Sequence, residues 1–215
     1  MILPTMYDLR FKEHFKIFIS GPSRCGKTYF VVNLLENLPK IAKVPPTIVI
    51  YVYKVWQYKF DEMRNVDIFL EDNHDVLDKI SIYTAGKSSL IIFDDMINSK
   101  SIIGIAPLFT VDARHSNMSL IFLSQRMFVN NEHFRRISQN SNYFVVFKNP
   151  RNLSEIRTLA QQITPGSLQL MYIYREATKE PFSYLFINLT QEAQPETKYL
   201  SNIFERDHII KTYIE

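Results

Sequence analysis

Residues Phe15–Leu35, FKIFISGPSRCGKTYFVVNLL, decide the reading of this chain, because a strand, a glycine-bounded loop and a helix start follow one another without a break. Phe15 to Ser20 form a short apolar, β-rich run, and Gly21, Gly26, Lys27 and Thr28 complete G-x-x-x-x-G-K-[ST], a phosphate-binding loop. The spacing follows from chemistry. Gly21 lets the chain leave the strand in a conformation that a Cβ would forbid. Gly26 lets backbone N–H groups close around phosphate oxygens at the helix N-terminus, where the partial positive charge lies. Gly21, Pro22, Ser23, Arg24, Cys25, Gly26, Lys27 and Thr28 are therefore the candidate nucleotide cradle. Lys27 is the candidate cation for the β- and γ-phosphates, and the Thr28 hydroxyl is a hard oxygen ligand for Mg²⁺. The bland alternative is a chance match in an ordinary turn, but here a strand precedes and a helix follows, in a chain with only five glycines. Cys25 is the single cysteine. It reads as a variable loop position rather than a nucleophile, since no His stands close in sequence to act as its base.

A length of 215 residues fits one domain, and 46% hydrophobic composition with 13% aromatics is enough to bury a substantial core. The expected organisation is a single domain over 1–215, with an N-terminal extension over 1–14, a core over 15–190 and a tail over 191–215. One cysteine excludes an intrachain disulfide framework and a thiolate-rich zinc site, which fits a reducing compartment. The N-terminus, MILPTMYDLRFKEH, has no sustained apolar core behind a basic start, and no segment approaches a bilayer-spanning run. The expectation is a soluble protein that is not secreted. The net charge of +3 is too small to argue for nucleic acid by itself. Its distribution is uneven, however. Asp61 to Ile80 is acidic, whereas Arg114 to Arg157 is dominated by Arg114, Arg126, Arg135, Arg136, Lys148, Arg151 and Arg157.

Along the chain, a first helix is expected from Lys27 to about Asn37, stopping before Pro39. Thr47 to Tyr53, TIVIYVY, is β-branched and aromatic and reads as a buried parallel strand. The acidic segment after Trp56 reads as a helix and an exposed connection. Ser89 to Phe93 is the next strand and ends in Asp94-Asp95. A hydrophobic strand that delivers acids beside a phosphate loop is what a Walker B element requires: Asp94 for Mg²⁺, and Asp95 to orient or deprotonate the attacking water. A helix carrying Ile102, Ile103 and Leu108 leads to the strand Ser119 to Ser124, with Gln125 at its end as a candidate sensor of the γ-phosphate. Tyr143 to Phe147 is a further strand. Asn152 with Glu155 reads as the capping box of a helix that runs through Ile163 and is stopped by Pro165-Gly166, and Phe182 to Asn188 closes the domain. The alternation predicts an α/β fold, a mainly parallel sheet with helices on both faces.

Over most of its length the chain resembles the poxvirus-type genome-packaging ATPases of the FtsK–HerA superfamily, found in large DNA viruses, virophages and Maverick/Polinton-type elements. The likeness rests on GPSRCGKT, Val55-Trp56-Gln57, IIFDDM, the segment Leu108 to Phe128, the segment Arg135 to Asn152, and YLFINL, in that order. This chain departs from the pattern at Arg114-His115, where a His pair is common, and at Asn152, where Asp is common. The resemblance implies an additional-strand P-loop NTPase core of RecA/FtsK type, ATP hydrolysis with Mg²⁺, a pentameric or hexameric ring, and translocation of double-stranded DNA of any sequence into a capsid at its portal vertex. It assigns Lys27 and Thr28 to nucleotide and metal, Asp94 and Asp95 to the Walker B pair, and Gln125 to the sensor position. It also implies an arginine supplied by a neighbouring subunit, for which Arg136 is the first candidate, with Arg135, Arg151 and Arg114 as others. The basic region from Arg126 to Lys148 is the candidate DNA grip. Such a protein would work at virus assembly sites in the host cytoplasm or nucleus, or within the virion. The rival readings are a small-molecule nucleotide kinase and a nucleotide-binding assembly protein with little turnover.

Overall fold

The computed structural model describes residues 8–110, 117–166, 168–204 and 210–214. Among them, nine strands form one sheet in the order β3-β2-β4-β5-β1-β6-β7-β8-β9. The strands are β1 (Lys16–Ser20), β2 (Ile48–Tyr53), β3 (Ile68–Glu71), β4 (Ser89–Asp94), β5 (Met118–Ser124), β6 (Tyr143–Phe147), β7 (Tyr184–Asn188), β8 (Tyr199–Ser201) and β9 (Lys211–Tyr213). The first six in spatial order are parallel, and the last three join antiparallel. The helices that matter here are α1 (Lys27–Ile41), α2 (Val76–Thr84), α3 (Ile102–Thr110), α4 (Glu132–Gln139), α5 (Leu153–Ile163) and α6 (Gln169–Ala177).

The central strands read as unbroken apolar runs because both faces of the sheet are covered. Ile17, Ile19, Leu90, Ile92, Ile121 and Leu123 point into one core with Phe30, Val31 and Leu34 of α1. Their neighbours Phe18, Ile91, Phe93 and Phe122 point into the other, with side chains from α2 to α6. This period-two division fixes which face Asp94 serves: it shares the parity of Leu90 and Ile92 and therefore lies on the side of α1.

Local expectations and structure differ where burial overrides a local signal. Helix α1 runs past Pro39 to Ile41. Buried Leu38, the Ala42 N–H bond to the Leu38 carbonyl at 3.0 Å and the bridge from Phe11 to Ala42 hold the last turn against the N–H lost at Pro39. The segment after Trp56 is a 3₁₀ turn (Tyr58–Glu62), then β3, then α2. Strand β3 escapes sequence reading because it is a four-residue edge strand hidden among acids, one of which, Asp67, accepts the Val49 N–H at 2.7 Å. Phe182 precedes β7 instead of opening it. Phe11, in the stretch set apart as an extension, is buried against Phe15 and Tyr143, and the stretch 191–215 supplies β8 and β9 to the same sheet.

Candidate nucleotide site

Strand β1 hands the chain to the phosphate loop at Gly21, whose N–H donates to the Ser124 carbonyl at 3.2 Å. Gly21 is required for space and not for conformation, which corrects the sequence argument. Its φ is not in the left-handed region, but a Cβ there would stand 2.6 Å from Cys25 Sγ and 2.7 Å from Phe147 Cβ. Gly26 is the conformational glycine, with φ 110, and it caps α1 without any side-chain acceptor. No acidic residue occupies the first turn of α1. The N–H groups of that turn are therefore offered to an external anion. Lys27 Nζ donates to the carbonyls of Gly21 and Pro22 at 2.7 and 2.9 Å, which holds the ammonium across the loop. Arg24 completes the curve of the loop with φ 63.

Strand β5 lies between β1 and β4, so the acid-bearing strand is two strand spacings, about 10 Å, from the strand that carries the loop. Register brings their ends level. Ser20 pairs with Ser124, Asp94 with Leu123, and the Asp95 N–H donates to the Leu123 carbonyl at 3.2 Å. Asp94 is 7% exposed and accepts a hydrogen bond from the Tyr51 hydroxyl at 2.9 Å, with the Gln57 amide at 3.5 Å. Burial pushes the Asp94 carboxyl above its ordinary range. The Tyr51 bond pulls it down, the Asp95 charge raises it, and the Lys27 charge lowers it. The same burial and the Asp94 charge push the Tyr51 phenol far up, so it stays a donor. Asp95 turns out of the strand with φ 57, and its carboxylate accepts from the Gln125 amide at 2.9 Å. Lys27, Asp94, Asp95 and Gln125 thus converge on one edge of the sheet, the edge where ligands bind in parallel α/β folds. Thr28, half-buried, is on the first turn of α1.

The residues present fit a metal-bound polyphosphate. The first turn of α1 has neither a side-chain cap nor an acid to occupy its N–H groups, and a hydroxyl with a carboxylate is a hard oxygen donor set suited to Mg²⁺. Among the described residues there is no cluster of three His, Cys, Asp or Glu that could hold a metal.

The arginine candidates lie elsewhere. Arg135 and Arg136 are exposed on α4, where Arg136 pairs with Glu132 at 2.6 Å, and Arg151 is exposed in the turn after β6. None of the three lines the pocket beside the loop, whose basic lining residues are Arg24, Lys27 and Lys59. Arg114 and His115 lie outside the described residues. Asn152 and Glu155 do not form the expected capping box. Asn152 accepts from the Ser154 hydroxyl and caps nothing, while Glu155 Oε2 accepts the Met127 N–H at 3.2 Å and so anchors the loop that follows Gln125. Tyr51, Gln57 and Glu155 are the residues that sequence reasoning missed. Tyr51 sits mid-strand in an apolar run, and nothing local marks its pairing with an acid 43 positions away.

A family model described as the poxvirus A32 protein matches residues 6–164. No curated protein sequence matches the chain. Among solved structures, B204, the DNA-packaging ATPase of Sulfolobus Turreted Icosahedral Virus, is similar with TM-score 0.55 at 15% identity, covering 85% of this chain and 96% of that one. EccC of Thermomonospora curvata (ATPases 2 and 3) is similar with TM-score 0.55 at 12% identity, covering 94% of this chain and 37% of that one. At such identities these likenesses show a shared fold.

Proposed function

The chain belongs to the poxvirus A32 protein family, and on that footing we propose that it is an ATP-hydrolysing motor that drives double-stranded viral DNA into a capsid. The observation that carries the reading is the meeting of the Lys27 loop with Asp94 and Asp95 at one sheet edge, with Gln125 in direct contact with Asp95. The fold neighbour from Sulfolobus Turreted Icosahedral Virus is a DNA-packaging ATPase by its own description, which supports the choice of cargo.

In this mechanism the amides of the α1 first turn and the Lys27 ammonium hold the β- and γ-phosphates. Thr28 and Asp94 hold Mg²⁺, which neutralises charge on the transferring group when bound. Asp95 takes the proton of a water whose oxygen bonds to the γ-phosphorus as the bond to the β–γ bridging oxygen breaks. Gln125, tied to Asp95, registers whether the γ-phosphate is present and passes the change along the loop that Glu155 anchors. An arginine of a neighbouring subunit in a ring of five or six completes the charge stabilisation, with Arg136 the first candidate. The Arg126–Lys148 region contacts DNA through phosphates, since a packaging motor must accept any sequence, and binding therefore weakens steeply with salt. The assembly acts at the portal vertex of a capsid, at sites of virus assembly in the host cell. No helix among the described residues is long and apolar enough to cross a membrane.

The test is phosphate release with and without duplex DNA of arbitrary sequence, alongside particle mass with an ATP analogue. DNA stimulation, ring formation, and retained ATP binding with lost turnover in Asp95→Asn are expected. Stimulation by a nucleoside in place of DNA, or equal slow turnover in wild type and Asp95→Asn, would overturn the reading.

A further inference from the structure

Beside the first two turns of α1 lies a pocket of about 620 Å³. Its lining includes the loop, Gln57 and Lys59, together with Phe147, Phe182, Tyr184 and Phe204. Three of these aromatics are fixed. Phe147, Tyr184 and Phe204 pack around the Phe30 ring at centroid distances of 6.3, 4.9 and 5.0 Å, and the Tyr184 hydroxyl accepts the Ile203 N–H at 3.1 Å.

Phe182 is different. Its side chain is 68% exposed, yet its backbone is left-handed with φ 63. The residues Glu180-Pro181-Phe182-Ser183 form a tight turn in which the Ser183 N–H donates to the Glu180 carbonyl at 3.3 Å. Proline stands at the second position, where it is favoured, and phenylalanine at the third, where a positive φ favours glycine or asparagine. A bulky residue held in this conformation is strained. Burial does not repay that strain, because most of the ring faces solvent. The ring stands over the phosphate loop: a Cβ on Gly26 would lie 3.7 Å from Phe182 Cβ.

We propose that Phe182 is the surface on which the base of the bound nucleotide stacks, with the Phe147, Tyr184 and Phe204 wall enclosing base and ribose. The inference rests on the nucleotide reading of the loop and extends it. Sheet order supports the direction. Strands β6 and β7 lie on the side of β1 away from β5 and β4, so a triphosphate whose last phosphate meets Asp94 and Asp95 places its base toward Phe182. A flat aromatic face is the group that recognises a base of any identity, which accounts for a ring at a position where glycine would fit the turn better.

The experiment compares Mg²⁺-ATP with Mg²⁺-tripolyphosphate, which lacks base and ribose, by calorimetric titration of the full chain. Phe182→Gly weakens ATP roughly tenfold, leaves tripolyphosphate unchanged and does not lower the unfolding midpoint, while Phe182→Trp keeps ATP affinity. Unchanged ATP affinity in Phe182→Gly overturns the proposal, and so does equal weakening of both ligands, which would make the ring a support for the loop. Loss confined to DNA-stimulated turnover would assign the ring to DNA and also overturns it. Failure of the wild type to bind either ligand would instead defeat the nucleotide reading on which the proposal stands.

Discussion

Replacing Gly21 with alanine puts a methyl group where two neighbours already stand. The new Cβ would lie 2.6 Å from Cys25 Sγ and 2.7 Å from Phe147 Cβ, against an ordinary carbon contact of about 3.5–4.0 Å. Phe147 cannot retreat: it is 2% exposed, paired with Tyr184 across β6 and β7, and its ring is set edge-on to Phe30. Cys25 Sγ is the tip of a loop side chain and can be deleted. Overpacking of this kind costs about 1–3 kcal/mol. At roughly 2–4 °C per kcal/mol for a chain of this size, the midpoint of thermal unfolding falls by roughly 2–12 °C. The assay is a cycle of Gly21→Ala, Cys25→Ala and the pair. Removing Sγ relieves one of the two clashes, so the pair is less destabilised than the sum of the singles by about 1 kcal/mol. An unchanged midpoint in Gly21→Ala, or strict additivity in the cycle, would refute the packing of the loop against β6.

Asp94→Asn removes a buried charge while keeping an oxygen for the Tyr51 hydroxyl, so the midpoint rises by roughly 1–8 °C while Mg²⁺-dependent turnover is lost; a lowered midpoint would contradict this account. Burial holds the Glu155 carboxyl above its ordinary value, so the folded chain binds that proton more tightly than the unfolded one. Its contribution to stability is therefore full below the ordinary glutamate range and lost as pH rises through the raised value. Glu155→Gln then matches or exceeds wild type at pH 7 and converges with it near pH 4, as unfolding scans at both values would show. Glu155→Ala strands the Met127 N–H and costs about 1–3 kcal/mol. Burial also raises the Cys25 thiol, against the opposing Lys27 charge, so iodoacetamide labels the native protein more slowly than the unfolded one at neutral pH and the rate climbs as pH rises. Mass spectrometry that found equal rates would show the thiol to be open.

Legibility in the sequence followed the range of the interactions. The strand-loop-helix unit around Gly21 to Thr28 is a local device, and so are the apolar runs of β2, β4, β5 and β6, whose composition reflects burial on both faces. Strand β3 was illegible because its four residues owe their pairing to the exposed edge of β2 and not to their own pattern. The pairing of Asn152 with Glu155 looked like a cap, yet the carboxylate found a stronger claim in the amide of a loop 28 residues away.

From residue types and their spacing alone came the chemistry on offer: a phosphate cradle, a lysine, a hydroxyl, two acids and an amide, each at the end of a predicted strand or the start of a helix. The folded chain chose how they are combined. Parallel register sets β5 between β1 and β4, buries Asp94 against Tyr51 and ties Asp95 to Gln125, while the antiparallel pairing of β7 with β6 stands Phe182 over Gly26. None of those contacts has a local signature, because hydrogen bonds between strands distant in sequence depend on which segments become neighbours, and that is decided by the packing of both faces of the sheet at once.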